Sequence, residues 1–353
     1  MPTVRARRWR FYRLFRRLRR VESTLPPIIS VIIPTYNRAG LLAAAIDSVL
    51  DQELTGTGLT PADIEIIVAD DGSTDATAQV VARYGARVRY LALPHRGQPA
   101  APRNGALAVA QGEFVALLDS DDLFLPQKFA LQLPALRADP SAALVYSDGR
   151  FFIDDPTQAT GYVQAGLPTP SGDIFGDLLR GNFLAPPVVL IRRAWLDKVG
   201  HFDESAELRA VEDYDLWLRL AIHAPARFVP GEVAAIRRHP GNISADAAAL
   251  RSRSIKVLRR LDAAYPAQMR ANPTVRHEAY ARHHGAVALA AWQGREFPTA
   301  LHHARAAARH ALRLPGGGLG VLWAWLHRRR LRRGIRGDLS AQSLQATPPS
   351  DHG

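Results

Sequence analysis

The stretch IISVIIPTYNRAGLLAAAIDSVLDQ, residues 28–52, decides the fold. Its opening run to Ile33 is apolar and β-branched apart from Ser30, the composition of a buried strand. Downstream, Leu42, Ile46, Val49 and Leu50 recur at helical spacing. The loop PTYNRAG, Pro34 to Gly40, joins the two. Strand, loop and helix in such quick succession make one βα unit, and the pattern then repeats. IEIIVA (64–69), RVRYLAL (87–93) and EFVALL (113–118) read as strands. TDATAQVVARYG (74–85) and PAAPRNGALAVAQG (99–112) read as the helices between them. This rhythm predicts an α/β domain with a mostly parallel central sheet flanked by helices. Ligands of such sheets sit at the carboxyl ends of the strands.

Two of those ends carry adjacent carboxylates: Asp70-Asp71 after IEIIVA, and Asp119-Ser120-Asp121-Asp122 after EFVALL. A turn needs at most one aspartate. Capping of a helix starting near Pro126 by Asp122 or Ser120 accounts for one more. The surplus carboxylates repel each other unless a cation neutralises them. The chain has no cysteine, so a metal must be held by oxygen or imidazole. Oxygen ligands favour Mg²⁺ or Mn²⁺, which bind one or two carboxylates and leave positions open for phosphate oxygens. The clusters therefore point to a metal and a diphosphate.

From about residue 140 the rhythm loosens. ALVYSDGRFF (143–152) reads as strand and turn, DIFGDLLRG (173–181) as a short helix, and PPVVLIRRAWLDKVGHFDE (186–204) as strand, helix and turn. VEDYDLWLRLAIHA (211–224) is an amphipathic helix with Leu216, Leu220 and Ala224 inward, and ARFVPGEVAAIRRHPGNIS (226–244) returns as strands. Beyond Ala245 the chain is rich in Ala and Arg and helical. HEAYARHHGAVALAAWQG and FPTALHHARAAARHAL look like one helical hairpin, too few for a solenoid. The expected division is a basic arm over 1–25, a catalytic domain over 26–245, a helical subdomain over 246–314, a basic-aromatic segment over 315–337 and a polar tail over 338–353.

The formal net charge of +12 comes from 45 basic against 33 acidic residues, and its location matters more than its size. Nine arginines lie in residues 1–20 and six in 327–337; subtracting these fifteen from 45 leaves 30 basic residues against 33 acidic ones. A body of that balance does not favour a nucleic-acid groove. In RARRWRFYRLFRRLRR, Phe11, Leu14, Phe15 and Leu18 share one helical face opposite most of the arginines, a pattern suited to an anionic lipid surface. LGVLWAWLHRRRLRRGIR repeats it with Trp323 and Trp325, in an apolar run too short to span a bilayer. Both ends are expected to meet an anionic membrane, placing the chain at the inner face of the cytoplasmic membrane as a peripheral protein.

ISVIIPTYNRAGLLAAAIDSVLDQ, IIVADDGSTDAT, RNGALAVAQGEFVALLDSDDLFLP, EDYDLWLRL and RRHPGNIS occur in that order. Together they resemble the family 2 glycosyltransferases over about residues 28–245. The resemblance implies a GT-A fold, with inverting transfer of a sugar from a nucleotide diphosphate donor (UDP- or dTDP-linked) to an acceptor hydroxyl. By position it implies that Pro34, Thr35 and Tyr36 line the nucleotide pocket, with Asp71 on the base and Asp70 beside it. Asp119 and Asp121 match the DxD motif: Asp121 as the direct metal ligand, Asp119, with neighbouring Ser120, toward the ribose or a metal-bound water. Arg103 falls where a basic residue approaches the diphosphate, Asp213 matches the catalytic base, and His239 matches a residue that closes the site around metal or phosphate. The implied cofactor is Mg²⁺ or Mn²⁺, and the expected acceptor a saccharide or lipid-linked saccharide in cell-surface polysaccharide or glycolipid assembly. Two other classes compete: a metal-dependent nucleotidyltransferase, whose Gly-rich, Lys-containing loop is replaced here by PTYNRAG, and nucleic-acid binding through the arginine-rich ends. PGGGLG (315–320) lacks the strand and the Lys-Ser/Thr of a phosphate loop and reads as a hinge.

Overall fold

The computed structural model describes residues 26–239, 241–242 and 246–315. The expected basic arm, the basic-aromatic segment beyond Pro315 and the polar tail lie outside the described residues. In chain order the elements are β1 (Ile29–Thr35), α1 (Ala39–Leu50), β2 (Ile64–Asp70), α2 (Thr77–Ala82), β3 (Val88–Ala92), α3 (Ala100–Leu107), β4 (Phe114–Leu117), β5 (Leu123–Phe124), α4 (Lys128–Ala138), β6 (Leu144–Phe152) and β7 (Gly161–Tyr162). Then follow α5 (Phe175–Arg180), β8 (Val189–Arg192), α6 (Arg193–Val199), α7 (Glu212–His223), β9 (Ala226–Arg237), α8 (Ala247–Ala264), α9 (Pro266–Ala271), α10 (Pro273–Gln293) and α11 (Phe297–Ala311). The chain forms two compact units: residues up to 165 with 186–201 and 227–237, and residues 166–185 and 202–226 with those from 238 onward.

The first unit is built on one sheet in the order β3-β2-β1-β4-β8-β6-β9-β5, with β7 on β6. The strands β3, β2, β1 and β4 are parallel, as the βα repeat predicts. Beyond β4 the sheet turns antiparallel: β8 runs against β4 and β6, and β5 against β9. The expectation of a mostly parallel sheet therefore holds for the first half, and the sheet as a whole is mixed. The change coincides with the point where regular strand-helix alternation stops, because antiparallel neighbours need no crossover helix.

Alternation places Ile29, Val31 and Ile33 of β1 on one face with Ile66 and Val68 of β2 and Phe114 and Ala116 of β4. Leu42, Ala45, Ile46 and Val49 of α1 and Phe129, Leu133 and Leu136 of α4 cover that face. Each Val, Leu, Ile or Phe among them contributes about 1.5–3 kcal/mol by leaving water, which fixes where the strand ends emerge. The turn into β4 requires Gly112, since a Cβ there would lie 2.5 Å from Ser30 N. Its own N–H donates to Ser30 Oγ at 2.8 Å.

The second unit is mainly helical, and its core helix α7 buries Tyr214, Leu216, Trp217, Leu218 and Leu220. The Tyr214 hydroxyl donates to Leu178 O at 2.8 Å and Trp217 Nε1 to Leu184 O at 3.2 Å, so both aromatic polar ends are satisfied. Asp246 caps α8 by accepting from Ala248 N and Ala249 N. Helices α10 and α11 form the expected hairpin. Segments 166–185 and 202–226 group with these helices, so the unit boundary does not fall at residue 245 alone. Among the described residues no helix is long and apolar enough to cross a membrane.

Candidate active site

Strands β2 and β4 both pair with β1, so the two aspartate clusters flank the loop PTYNRAG. Pro34 and Thr35 end β1, buried in register with Ala69 and Asp70. Thr35 Oγ1 is buried with no hydrogen-bond partner among the described residues. Tyr36 emerges at 43% exposure and stacks on His95, ring centroids 4.2 Å apart.

Asp70 and Asp71 are both buried, and both serve the loops around them. Asp70 Oδ1 accepts from Ser73 N at 2.9 Å and from Ser73 Oγ, while the Tyr90 hydroxyl donates to Oδ2. Burial and that bond to Asp70 push the Tyr90 phenol up to about 12. Asp71 Oδ1 accepts from Arg96 N at 2.7 Å and Oδ2 from Gly97 N at 2.8 Å, with His95 Nδ1 3.1 Å from Oδ2. The Asp71 carboxylate thus holds the loop that carries His95 under Tyr36. Gly72, at φ +77°, makes the turn possible: a Cβ there would meet His95 N and Cβ at 3.1 Å. Across the loop, Asn37 takes the left-handed conformation at φ 50° and accepts from Thr74 N at 2.8 Å. The first and second strand-end loops are therefore tied together.

At the end of β4, Asp122 N donates to Asp119 O at 3.0 Å in a tight turn. Asp119 Oδ1 accepts from Arg103 Nη2 at 2.7 Å. Arg103 projects from α3, is only 3% exposed and grips Asp119. Asp121 keeps some exposure, and its Oδ2 lies 4.0 Å from Arg38 Nη2. Ser120 is buried. Asp122 does not cap a helix: α4 starts at Lys128 with no side-chain cap. Its Oδ1 accepts instead from Arg237 N at 2.8 Å, and Arg237 Nε donates to Asp121 O at 3.2 Å. Burial, with the Asp119 and Asp121 charges added, drives the Asp122 carboxyl well above the usual carboxylate range.

The sequence reading missed Arg38, His95 and Arg237. Arg38 had a signal, standing in PTYNRAG next to the predicted ligand end of β1. His95 and Arg237 had none, because their contacts depend on loop closure and on β9 reaching the sheet. A fully buried Lys128 was also missed: its Nζ donates to Gln132 Oε1 at 2.8 Å, Pro187 O at 3.0 Å and Val189 O at 3.2 Å. Desolvation lowers that ammonium well below its usual value, and its full hydrogen bonding marks it as structural.

Asp213 and His239 belong to the second unit. Asp213 stands in the first turn of α7, partly exposed. Its Oδ1 accepts from its neighbour Tyr214 N at 2.7 Å and its Oδ2 from Asn182 Nδ2 at 3.3 Å. The adjacent Glu212 is buried, so within the ED pair Asp213 is the more accessible acid. His239 Nδ1 accepts from Gly241 N at 3.1 Å.

Among the described residues no three His, Asp or Glu side chains converge on a metal position. The Asp119–Asp122 turn nonetheless fits a hard divalent cation whose shell is completed by a ligand. Its donors are oxygen only, its carboxylates are close enough to raise the Asp122 carboxyl, and arginines touch it from two sides. Such a cation with one or two carboxylates and phosphate oxygens is the usual magnesium or manganese arrangement.

Residues 30–200 match the sequence profile described as "Glycosyl transferase family 2". An uncharacterized glycosyltransferase of Rickettsia typhi is 32% identical over 206 residues, 56% of this chain and 60% of that protein. A chondroitin synthase of Pasteurella multocida is 34% identical over 199 residues, 55% of this chain and 19% of that one. The chain thus spans less than two thirds of the curated relatives it matches. Among solved structures, the mannosyltransferase PcManGT of Pyrobaculum calidifontis, in complex with GDP-Man and Mn²⁺, superposes at TM-score 0.57 and 21% identity. That match covers 92% of this chain and 87% of PcManGT, a likeness of fold. The mixed α/β architecture with its helical C-terminal part is the GT-A arrangement expected from the sequence.

Proposed function

We propose, from the premise that the chain belongs to glycosyl transferase family 2, that it transfers a sugar from a nucleoside diphosphate donor to an acceptor hydroxyl with inversion at the anomeric carbon. The observation that carries this is the carboxylate turn Asp119–Asp122, restrained by Arg103 and Arg237 beside the loop Pro34–Arg38. Tyr36 on its His95 platform offers a flat, exposed ring for a base, and Asp71 fixes that platform. Asp121, with Asp119 at its side, would hold the Mg²⁺ or Mn²⁺ ion. A divalent cation bound there would neutralise charge developing on the leaving diphosphate. Arg38, near Asp121, adds a cation on the loop side.

An acceptor hydroxyl is a weak nucleophile at neutral pH, so one carboxylate must take its proton as the new bond forms. Asp213 is the proposed base. A single in-line displacement needs no second acid, because a nucleoside diphosphate is a weak base that leaves without protonation, unlike the alcohol released by a glycosidase. His239 is proposed to close over metal or phosphate.

The proposed setting is cell-surface polysaccharide or glycolipid assembly at the cytoplasmic membrane, with a saccharide or lipid-linked saccharide as acceptor. The chondroitin synthase relative supports the polysaccharide class. The arginine-rich ends, outside the described residues, are the proposed membrane contacts. The test is incubation of the full chain with UDP-, dTDP- and GDP-sugars and Mn²⁺ or Mg²⁺, with and without membrane lipid extract. Consumption of a donor, with release of its nucleoside diphosphate, is expected. No consumption of any donor under any of these conditions would contradict the proposal.

A further inference from the structure

Four of the seven most exposed large apolar side chains among the described residues lie in one hairpin: Trp292 at 63%, Phe297 at 52%, Leu301 at 51% and Leu312 at 73%. Trp292 meets Phe297 edge to face at the hairpin tip, ring centroids 5.2 Å apart. On the 3.6-residue period of α11 the exposed Phe297, Ala304, Ala308, Leu301 and Leu312 fall on one stripe. Ala300, Ala306 and Ala307 are buried, away from that stripe, and Ala300 and Ala307 turn toward the side on which His303 and His310 meet α10. Arg305, Arg309 and Arg313, all exposed, border the stripe on its other side. From Phe297 to Pro315 the chain has no acidic residue. The outer face of α11 is thus half apolar and half cationic, and its apolar half is exposed among the described residues.

We propose that this face of α11, with the Trp292–Phe297 tip, is a docking surface for an anionic bilayer. An apolar stripe edged by arginines and free of carboxylates complements both parts of a lipid interface, acyl boundary and phosphate headgroups. A protein partner would be expected to match a stripe of this kind with shape, and a self-interface would set the arginines of two copies against each other. The surface is distinct from the arginine-rich ends and does not depend on the chain being a sugar transferase.

The chain has no cysteine, so Leu301→Cys gives a unique labelling site in the full-length protein. That variant, carrying an environment-sensitive fluorophore, is titrated with vesicles of phosphatidylcholine alone and with vesicles half phosphatidylglycerol. A blue shift with the anionic vesicles only is expected. The double variant Arg305→Glu/Arg309→Glu, on the same labelled chain, alters only exposed positions and is expected to weaken vesicle binding by about tenfold or more. No spectral shift, or a shift unaffected by the charge reversals, overturns the proposal. A buried spectrum without vesicles, whether from a second copy seen in gel filtration or from the chain's own residues, overturns it too. A parallel full-length variant replacing Arg16, Arg17, Arg19 and Arg20 with Gln reports on the N-terminal end separately.

Discussion

Arg103 and Asp119 form an ion pair in which the cation is the buried member: Nη2 lies 2.7 Å from Oδ1, with the arginine side chain 4% exposed and the aspartate 34%. A buried guanidinium from α3 thereby restrains a carboxylate of the proposed metal turn that is itself partly exposed. Holding that carboxylate in place before a ligand arrives removes a cost that binding would otherwise carry. Arg103→Met should therefore lower stability by about 1–3 kcal/mol, less than a fully buried pair because water reaches Asp119. It should also weaken metal-dependent nucleotide binding by about tenfold. Thermal melts and calorimetric titration of the same samples check both; unchanged affinity in a stable variant would remove Arg103 from the account.

Asp71 makes a different prediction, because both of its oxygens accept backbone N–H groups of one loop. An amide at this position can accept from only one of Arg96 and Gly97 and presents its NH₂ to the other. Asp71→Asn should cost about 1–3 kcal/mol in denaturant unfolding. Protection of the Arg96 and Gly97 amides in hydrogen exchange should fall with it. Wild-type protection in the variant would mean that the loop is held by other contacts.

For Asp213 the expected effect is on rate. If it removes the acceptor proton, Asp213→Asn should reduce kcat by about 10²–10⁴-fold, the usual range for loss of a general base. Donor affinity should be unchanged, since the donor contacts proposed here lie elsewhere. Steady-state kinetics with donor binding measured in parallel separates the two; a loss confined to donor binding would argue for a positioning role.

The helical unit carries a pH prediction. Burial, then the charges of Arg251 and Arg282, lowers His283 to about 3, and burial with neighbouring histidines lowers His284 and His310 to about 4. His283 has no partner for either ring nitrogen among the described residues. His284 meets His303, and His310 meets His277, Nδ1 to Nδ1 at 2.8 and 3.0 Å, contacts in which one nitrogen must stay unprotonated. These imidazoles are neutral in the fold, while the unfolded chain binds protons below about 6.5. Stability is therefore fully present above that value and is lost as the pH falls from about 6.5 toward about 4, and toward about 3 for the His283 share. His283→Leu should flatten that decline, because it removes a buried group that only the unfolded chain protonates. Melting temperatures between pH 7.5 and 4.5 for both proteins test this; parallel curves would contradict it.

The parts legible in the sequence were those set by local periodicity. Ile29–Ile33, Ile64–Ala69 and Phe114–Leu117 announce strands by composition, and the spacing of Leu42, Ile46 and Val49 announces the helix that covers them. Strand-end aspartates could be located because an apolar run stops at them. What the sequence did not reveal was which groups hold those aspartates. Arg103 lies sixteen residues before Asp119 and Arg237 lies 115 after Asp122, and neither separation leaves a periodic trace. The strands of the antiparallel half were legible but not their full extent or pairing: β6 and β9 run on through Asp148-Gly149 and Pro230-Gly231, which locally read as turns.

The most direct test of the central claim is calorimetric titration of the full chain with UDP, dTDP and GDP, with Mn²⁺ and with the metal chelated. The expected result is binding of at least one nucleoside diphosphate that needs the metal and is lost in Asp121→Ala while the variant keeps its melting temperature. Binding that is indifferent both to chelation and to Asp121→Ala, or no binding of any of the three, would contradict the assignment of the Asp119–Asp122 turn.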